Sequence, residues 1–450
     1  MMGVTSVHSG VSVIVVGMGL GGLATAIECQ RRGHSVIMFD KMTEIREIGG
    51  DGIGIGSNAA RIISQWGDGA IDQAILAQGS DTTHLDMHDH HGRYVASHML
   101  HGYGRGSGYM QNRGRLIRVL YEYAAHLPRI DIRLGTLVED YWETESVAGV
   151  TVYGPGGKRE KVEADCVICS DGVHSLGRAA IVGQDTRGVP MGWATFRGHL
   201  PCTHALIQDP ETRWVVEVAR KQDIMMAYTG GGMQFSFWTL RHGEELVWIL
   251  THPDPKKRAR ETWVNGEALV EDAADCIASW PARTRIAPII RKTSPHKIIN
   301  QAITIRPPLN TWRSSRGRMM VIGDAAHPYF PIMGQGGGQA IEDGAVIAIA
   351  LELAGKANVC LALQVAEKIR YPRATVIQQG CSALQEAAFN PDWEAVRKDP
   401  SILSPPSPDW IFAHDCQAYT YREFNAVVQA LQEKREYVAT NIPPEGVYIR

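Results

Sequence analysis

The chain has 450 residues, 44% hydrophobic and 21% charged, with 45 Lys+Arg against 48 Asp+Glu for a net charge of −3. That length carries two or three folding units with a large core, and the composition excludes a disordered, collagen-like or disulfide-stapled chain. The charge balance gives no electrostatic reason to bind nucleic acid or an anionic membrane. Glycine alone departs from the ordinary, at 47 residues, about a tenth of the chain where ~7% is usual. No run of ~18 apolar residues and no cleavable leader pattern is present, so the chain reads as cytoplasmic, without a transmembrane segment. Its eight scattered cysteines read as reduced thiols.

Val11–Val16 is a β-branched run that leads straight into Gly17-Met18-Gly19-Leu20-Gly21-Gly22, followed by Leu23, Ala24 and Ile27 at helical spacing. Arg31 and Arg32 before Gly33 end the helix, and a second strand, Ser35–Phe39, delivers Asp40. This βαβ opening predicts a dinucleotide site. Gly17 makes the tight turn, Gly19 admits a pyrophosphate, Gly22 allows close helix packing, and Asp40 accepts from a ribose hydroxyl. NAD and FAD both use such an opening.

Further along, Asp89-His90-His91-Gly92 predicts a hairpin tip, and the histidines at 84, 88, 90 and 91 read as a solvated turn in preference to a metal site. Cys166 and Cys169 lie in an apolar strand that turns them to opposite faces, against a zinc or redox role. That strand runs into Ser170-Asp171-Gly172 and then Arg178. Between Arg187 and about Ile298 the pattern predicts strands at Trp193–Leu200, Arg213–Ala219, Asp223–Tyr228, Met233–Leu240 and Leu246–His252. Tyr228, Phe235 and Trp238 are the candidates for an aromatic substrate pocket, with Phe237 and Trp248 in the same set. Arg197, inside a buried strand, either pairs with a carboxylate or faces a ligand.

Met319–Ile322 then runs into Gly323-Asp324-Ala325-Ala326-His327-Pro328, Pro331 and Gly334-Gln335-Gly336-Gly337-Gly338, opening a helix over Gln339–Leu353. A carboxylate at a strand's end can hold the polyol of a ribityl chain, and a helix N-terminus can stabilise negative charge on a reduced flavin. After Gly355 the chain is helical, with a break at Ser404–Pro408 and a capping box at Thr420-Tyr421-Arg422-Glu423 before Phe424, Val427, Val428 and Leu431.

With these three glycine motifs in this order, the sequence resembles the single-component FAD-dependent aromatic monooxygenases, the group of para-hydroxybenzoate and salicylate hydroxylases. The resemblance implies an α/β fold: a Rossmann-like FAD-binding domain (10–85, 108–186 and 300–375), an inserted antiparallel β-sheet substrate domain (86–107 and 187–299) and a C-terminal helical tail (376–450). It implies that Asp324 binds ribityl, that Pro331, Gly334, Gly336 and Gly337 lie beside the flavin, and that Asp171 and Gly172 serve FAD and NAD(P)H. Arg113 matches an arginine that contacts FAD, while Arg115 beside it reads as a solvated helix charge. Gly50 belongs to the ring-facing loop Ile48–Gly52, in which Asp51 stands where relatives more often carry a small apolar residue.

The implied reaction consumes NAD(P)H, as a transient co-substrate, and O2, and it transfers one oxygen from a flavin C4a-hydroperoxide to an electron-rich aromatic. Gly49–Asp68, Ala194–Gly198, His414–Tyr419 and Ala439–Pro443 further resemble fungal indole-alkaloid monooxygenases, which oxidise the indole C2–C3 bond, sometimes leading to a spiro-oxindole. On that reading Asp51 manages a proton and Arg197 stabilises the developing oxygen charge. A phenol or salicylate hydroxylase, a flavin-fold protein that only binds, and a non-redox cyclase stand as alternatives. The tail packs on the FAD domain or on a second subunit in a homodimer.

Overall fold

A computed structural model of the chain describes residues 10–45, 52–103, 107–183, 188–202, 204–255, 270–404 and 407–448. Gly50, Asp51 and Pro405-Pro406 lie outside these. A five-stranded sheet is ordered Met319–Val321, Cys166–Cys169, Ser12–Val16, Ser35–Phe39, Ile130–Arg133, every neighbour parallel. Its central strands are covered on both sides, which is why they read as unbroken apolar runs without alternation. All four residues of Cys166–Cys169 are buried, and burial drives both thiols well above the usual thiol range.

Two helices close one side of this sheet. Leu20–Arg31 follows the first glycine turn, and Gln335–Ala354 crosses it so closely that a Cβ on Gly344 would sit 2.6 Å from the Thr25 amide. The second helix is buried from Gly338 to Leu351 on every side, as an apolar core helix must be. It starts at Gln335, four positions before the expected Gln339. Gly334 takes the left-handed conformation (φ +59) as its N-cap, so Gly336 and Gly337 form its first turn and are not loop residues. Among the described residues no single helix is long and apolar enough to cross a membrane.

A seven-stranded sheet runs Ile298–Ile305, Val189–Pro201, Glu245–Pro253, Met233–Leu240, Met225–Gly230, His84–Asp89, Tyr94–Met99. Three helices, Arg213–Ala219, Val270–Cys276 and Arg283–Arg291, supply apolar residues that pack with one face of it. Arg213–Ala219 is therefore a helix and not the expected strand. Its β-branched residues favour a strand in isolation, but Val215, Val216 and Ala219 fall on one helical stripe that the sheet buries. The hairpin tip at Asp89–Gly92 is present, with Gly92 at φ +87 and the Asp89 carboxylate accepting from the His91 and Arg93 amides.

A two-stranded ribbon, Gly52–Ile55 with Tyr109–Asn112, lies between the two large sheets, and a three-stranded sheet, Leu137–Glu143, Ala148–Tyr153 and Arg159–Ala164, flanks the parallel one. The helix Val359–Phe389 runs unbroken through the expected boundary at 375. The tail helix spans Cys416–Gln432 and buries Cys416, Tyr419, Phe424 and Val427 in the core of the dinucleotide-type domain. Its cap is Asp415, which accepts from the Ala418 amide. Thr420, expected to cap, lies inside the helix and donates to the Cys416 carbonyl.

Candidate active site

The first glycine turn is made by three different constraints. Gly17 sits at φ +96, and a side chain there would strike the Ser170 backbone. Gly22 faces the Gly17 carbonyl oxygen, which a Cβ would overlap, so strand and helix can meet only without one. Gly19 differs: a Cβ there would meet nothing within 4 Å. It is the N-cap of Leu20–Arg31, has no side-chain cap bond, and no acid occupies the first turn. Asp40 accepts from the Met18 amide at 2.8 Å and the Met42 amide at 2.8 Å, so its carboxylate also shapes this turn. Each oxygen keeps a second lone pair for a ribose hydroxyl.

The helix Gln335–Ala354 presents a second N-terminus of the same kind, with a glycine N-cap, no side-chain cap and no first-turn acid. The two ends adjoin: a Cβ on Gly337 would lie 2.8 Å from Leu20 Cδ1 and 3.2 Å from Ile53 Cδ1. Unpaired first-turn amides and two aligned macrodipoles thus converge on one region, a setting that favours negative charge. Asp324, exposed at the carboxyl end of Met319–Val321, borders it, 3.9 Å from where a Cβ of Gly336 would stand. Pro331 is exposed and opens the short turn Pro331–Met333.

Buried ion pairs hold this second turn. Asp343 accepts from the Gly323 amide at 3.0 Å, His327 Nε2 at 2.8 Å and Arg370 Nε at 2.8 Å. Glu342 binds Arg370, Arg373 (3.0 Å) and Asn58 (2.5 Å), and burial of the carboxyl is outweighed by Arg373 and Arg370, which hold it well below the usual carboxylate range. The motif therefore splits its acids: Asp324 faces outward, while Asp343 fixes the backbone that presents it. Tyr103 adds a further tie, donating to the Met333 carbonyl and accepting from Gln335 Nε2 at 3.0 Å. No local motif marks Tyr103; only the fold brings it to the glycine turn.

In the Asp-Gly segment the carboxylate is engaged by the protein itself. Asp171 accepts from the Leu176 amide at 2.9 Å and the Gly177 amide at 3.3 Å, and from Cys169 Sγ at 3.0 Å. Its carboxylate thus serves the start of the helix Leu176–Val182. Gly172, at φ +81 with open space around its Cβ position, is the part of the motif that faces outward. Arg178, 3% exposed, donates to the Ala325 and Ala326 carbonyls at 2.9 and 3.0 Å, clamping one turn to the other. Burial, with Arg306 nearby, lowers its pKa to about 10.

Arg113 opens the helix Arg113–Ala125 and is half-buried. Arg115 is not the solvated charge that was expected. It pairs with Glu245 Oε1 at 2.7 Å, and the two side chains are 11% and 9% exposed. His199 Nε2 lies 2.9 Å from the other Glu245 oxygen. Burial of Glu245 is outweighed by His199 and Arg115, which hold its pKa at about 2. The pair ties a helix of the parallel-sheet domain to the seven-stranded sheet.

Register sorts the faces of that sheet, because residues directly opposite one another share a face. Phe196, Leu250, Phe235 and Tyr228 form one row, and Trp248 and Phe237 lie in the next on the same side. All are buried against the helices at the back. Tyr228 and Phe235, expected at the substrate, therefore belong to the helix-facing core. Their aromatic character suggested a pocket, but it does not say which side of the sheet a ring enters, and register puts these two on the helix-covered side. Trp238 lies on the opposite face, packed with Val247 and Met110, where a Cβ on Gly52 would collide with its ring.

Arg197 shares the Trp238 face, in a row with Ile299, Ile249 and Ser236. Arg197, Ile249, Ser236 and Gln234 are only half-buried although they lie at the sheet's centre, so a cleft opens there. One rim is Trp238 against the ribbon. The other is Trp193 and Ile303, which pack with Phe330, Met333 and Phe389 beside the proline turn.

The residues fit FAD. Two uncapped helix starts, the open position at Gly19 and the outward Asp324 supply amide donors and an acceptor over an extended path, ending beside the cleft. Comparisons with known proteins agree. Residues 10–380 match the family described as FAD binding domain. The flavin-dependent monooxygenase pboD of Aspergillus ustus is 47% identical, covering 97% of this chain and 96% of its own. The solved structure of FqzB superposes with a TM-score of 0.87 at 51% identity, over 97% of this chain and 98% of that one. CtdE, solved in complex with FAD and a substrate, gives 0.88 at 37%, over 94% and 100%. The chain belongs to this family of FAD-dependent monooxygenases.

Proposed function

We propose that the protein uses NAD(P)H and O2 to add one oxygen atom across the indole C2–C3 double bond of a fungal alkaloid, the second oxygen leaving as water, an epoxidation that can lead on to a spiro-oxindole. Bound FAD supplies the redox chemistry, accepting two electrons and activating dioxygen for transfer. The chain's own residues bind and orient. The glycine turn at Gly17–Gly22 would hold the pyrophosphate, with Asp40 at the ribose and Arg113, Gly50, Asp171 and Gly172 along the cofactor. Asp324 would hold the ribityl chain, and Pro331, Gly334, Gly336 and Gly337 would flank the ring, with the amides of the Gln335–Ala354 helix start compensating its negative charge.

The observation that carries the reading is the position of Arg197. It stands on the sheet face that turns toward the glycine motifs, in the half-open central row between two packed rims. A guanidinium stays protonated, so its part is to hydrogen-bond oxygen as negative charge develops during epoxide opening. Asp51 is proposed to manage the accompanying proton. The resemblance of Ala194–Gly198 and of the tail to indole-alkaloid monooxygenases supports the ring type.

The test is a panel of indole and phenol substrates given to the FAD-loaded enzyme, following NAD(P)H oxidation, O2 uptake and product mass. Indole-stimulated consumption with a gain of one oxygen is expected. Arg197→Gln should lower turnover ~10²–10³-fold with a smaller change in KM. Unchanged turnover and product distribution would remove Arg197 from the mechanism.

A further inference from the structure

Across the cleft face, one cross-strand row is polar from end to end: Gln301, Thr195, Thr251, Gln234 and Thr229 stand opposite one another on five consecutive strands. The rows on either side are largely apolar, with Ile303 and Trp193 above and Ile299, Ile249 and Ala227 accompanying Arg197 and Ser236 below. Gln234 satisfies Thr229 at 3.1 Å at one end. The other end is unsatisfied. Thr195 is 2% and Gln301 9% exposed, and neither Thr195 Oγ1 nor Gln301 Oε1 has a hydrogen-bond partner among the described residues.

Two orphaned buried oxygens on adjacent strands are costly, because each has given up its hydrogen bonds to water without a replacement. Apolar residues of the same size would avoid that cost. The chemistry of the pair is specific. Gln301 Oε1 accepts only, whereas the Thr195 hydroxyl can donate, and directly opposed side chains on paired strands stand ~4.5–5.5 Å apart at Cβ. A group that offers an N–H and a carbonyl side by side satisfies both at once, the N–H to Gln301 and the carbonyl to Thr195.

We infer that Thr195 and Gln301 recognise a secondary amide, such as a lactam, that the substrate carries beside its aromatic ring. This rests on the monooxygenase reading of the same cleft. The amide end lies at the buried end of the polar row, one row from Arg197, so holding it fixes which edge of the ring meets the reacting centre. The two residues act on specificity through orientation and take no part in bond making.

The probes are cyclo(Trp–Gly) and cyclo(Tyr–Gly), each compared with its N,N′-dimethyl form, titrated into FAD-loaded enzyme and followed by the flavin absorbance change. The secondary amides should bind about tenfold or more tightly than their methylated forms. Thr195→Val and Gln301→Leu should each remove most of that preference, and Thr195→Ser should restore it. Removing an orphaned oxygen should also leave the ligand-free Tm of both variants equal to or above that of the parent, an effect opposite to that of a structural hydrogen bond. Amide preference on either ring supports the inference whatever becomes of the indole reading, and indole preference without amide preference removes the inference alone. Equal affinity for amide and methylated amide, absence of binding by both included, overturns it, as does an equal loss for both forms in the variants.

Discussion

The nucleotide cradle and the cleft face of the seven-stranded sheet are built from different materials. The cradle is backbone: two glycine turns, two helix starts without caps, and carboxylates such as Asp40 and Asp343 that bind amides to hold the turns in place. The cleft face is side chains, brought together from strands that neighbour in space but lie as far apart in sequence as those of Thr195 and Gln301. A backbone site is encoded within a few residues, because a missing Cβ is visible as glycine. A side-chain site is encoded in register, and a shift of one residue would exchange its two faces.

The sharpest way to break that contrast is Gly22→Ala. The added methyl has only the Gly17 carbonyl to displace, and no flexible side chain can yield, so the purified variant should retain no flavin and lose more than about 4 kcal/mol of stability. Folded Gly22→Ala protein with stoichiometric FAD would refute the backbone account. Next in size is Phe235→Ala on the helix-covered face. Truncating this fully buried ring should cost ~3–5 kcal/mol in denaturant unfolding while leaving the ranking of bound substrates unchanged. A changed ranking would return Phe235 to the substrate site.

A smaller effect probes the tie between the two regions. The folded pKa of Glu245 lies at about 2, below its ordinary 4.5, so its pairing with Arg115 and His199 stabilises fully above about pH 4.5 and is lost as pH falls from there toward 2. Glu245→Gln should cost up to ~3 kcal/mol at neutral pH, and the difference in Tm between the two proteins should shrink as pH falls through that window. A pH-independent difference would show that packing, and not charge, joins the domains.

Much of the fold was legible. The strands Ser35–Phe39 and Met233–Leu240 appear with their expected limits, since the first is a nearly continuous apolar run, the second interleaves polar with apolar residues, and turn residues bound both. Where reading failed, tertiary context outweighed local preference. Arg213–Ala219 has strand-forming residues but a helical buried stripe, and Thr420-Glu423 has the letters of a capping box although Asp415 had already started the helix. Arg115 looked solvated because nothing nearby in sequence could pair with it; Glu245 is 130 residues away. Tyr103 and Gln301 carry no local signal at all, and Thr195 lies within Ala194–Gly198 without standing out in it.

The sequence by itself determined the cofactor class and the order of the motifs, because each glycine turn, with the strand run that leads into it, is a pattern of consecutive residues, and three such patterns in one order distinguish FAD from NAD. Only the tertiary structure decided which acid of the second glycine motif, Asp324 or Asp343, turns outward, which arginine pairs across the domains, and which face of the seven-stranded sheet is the cleft. Those three outcomes depend on packing and strand register, which bring together residues that no local pattern connects.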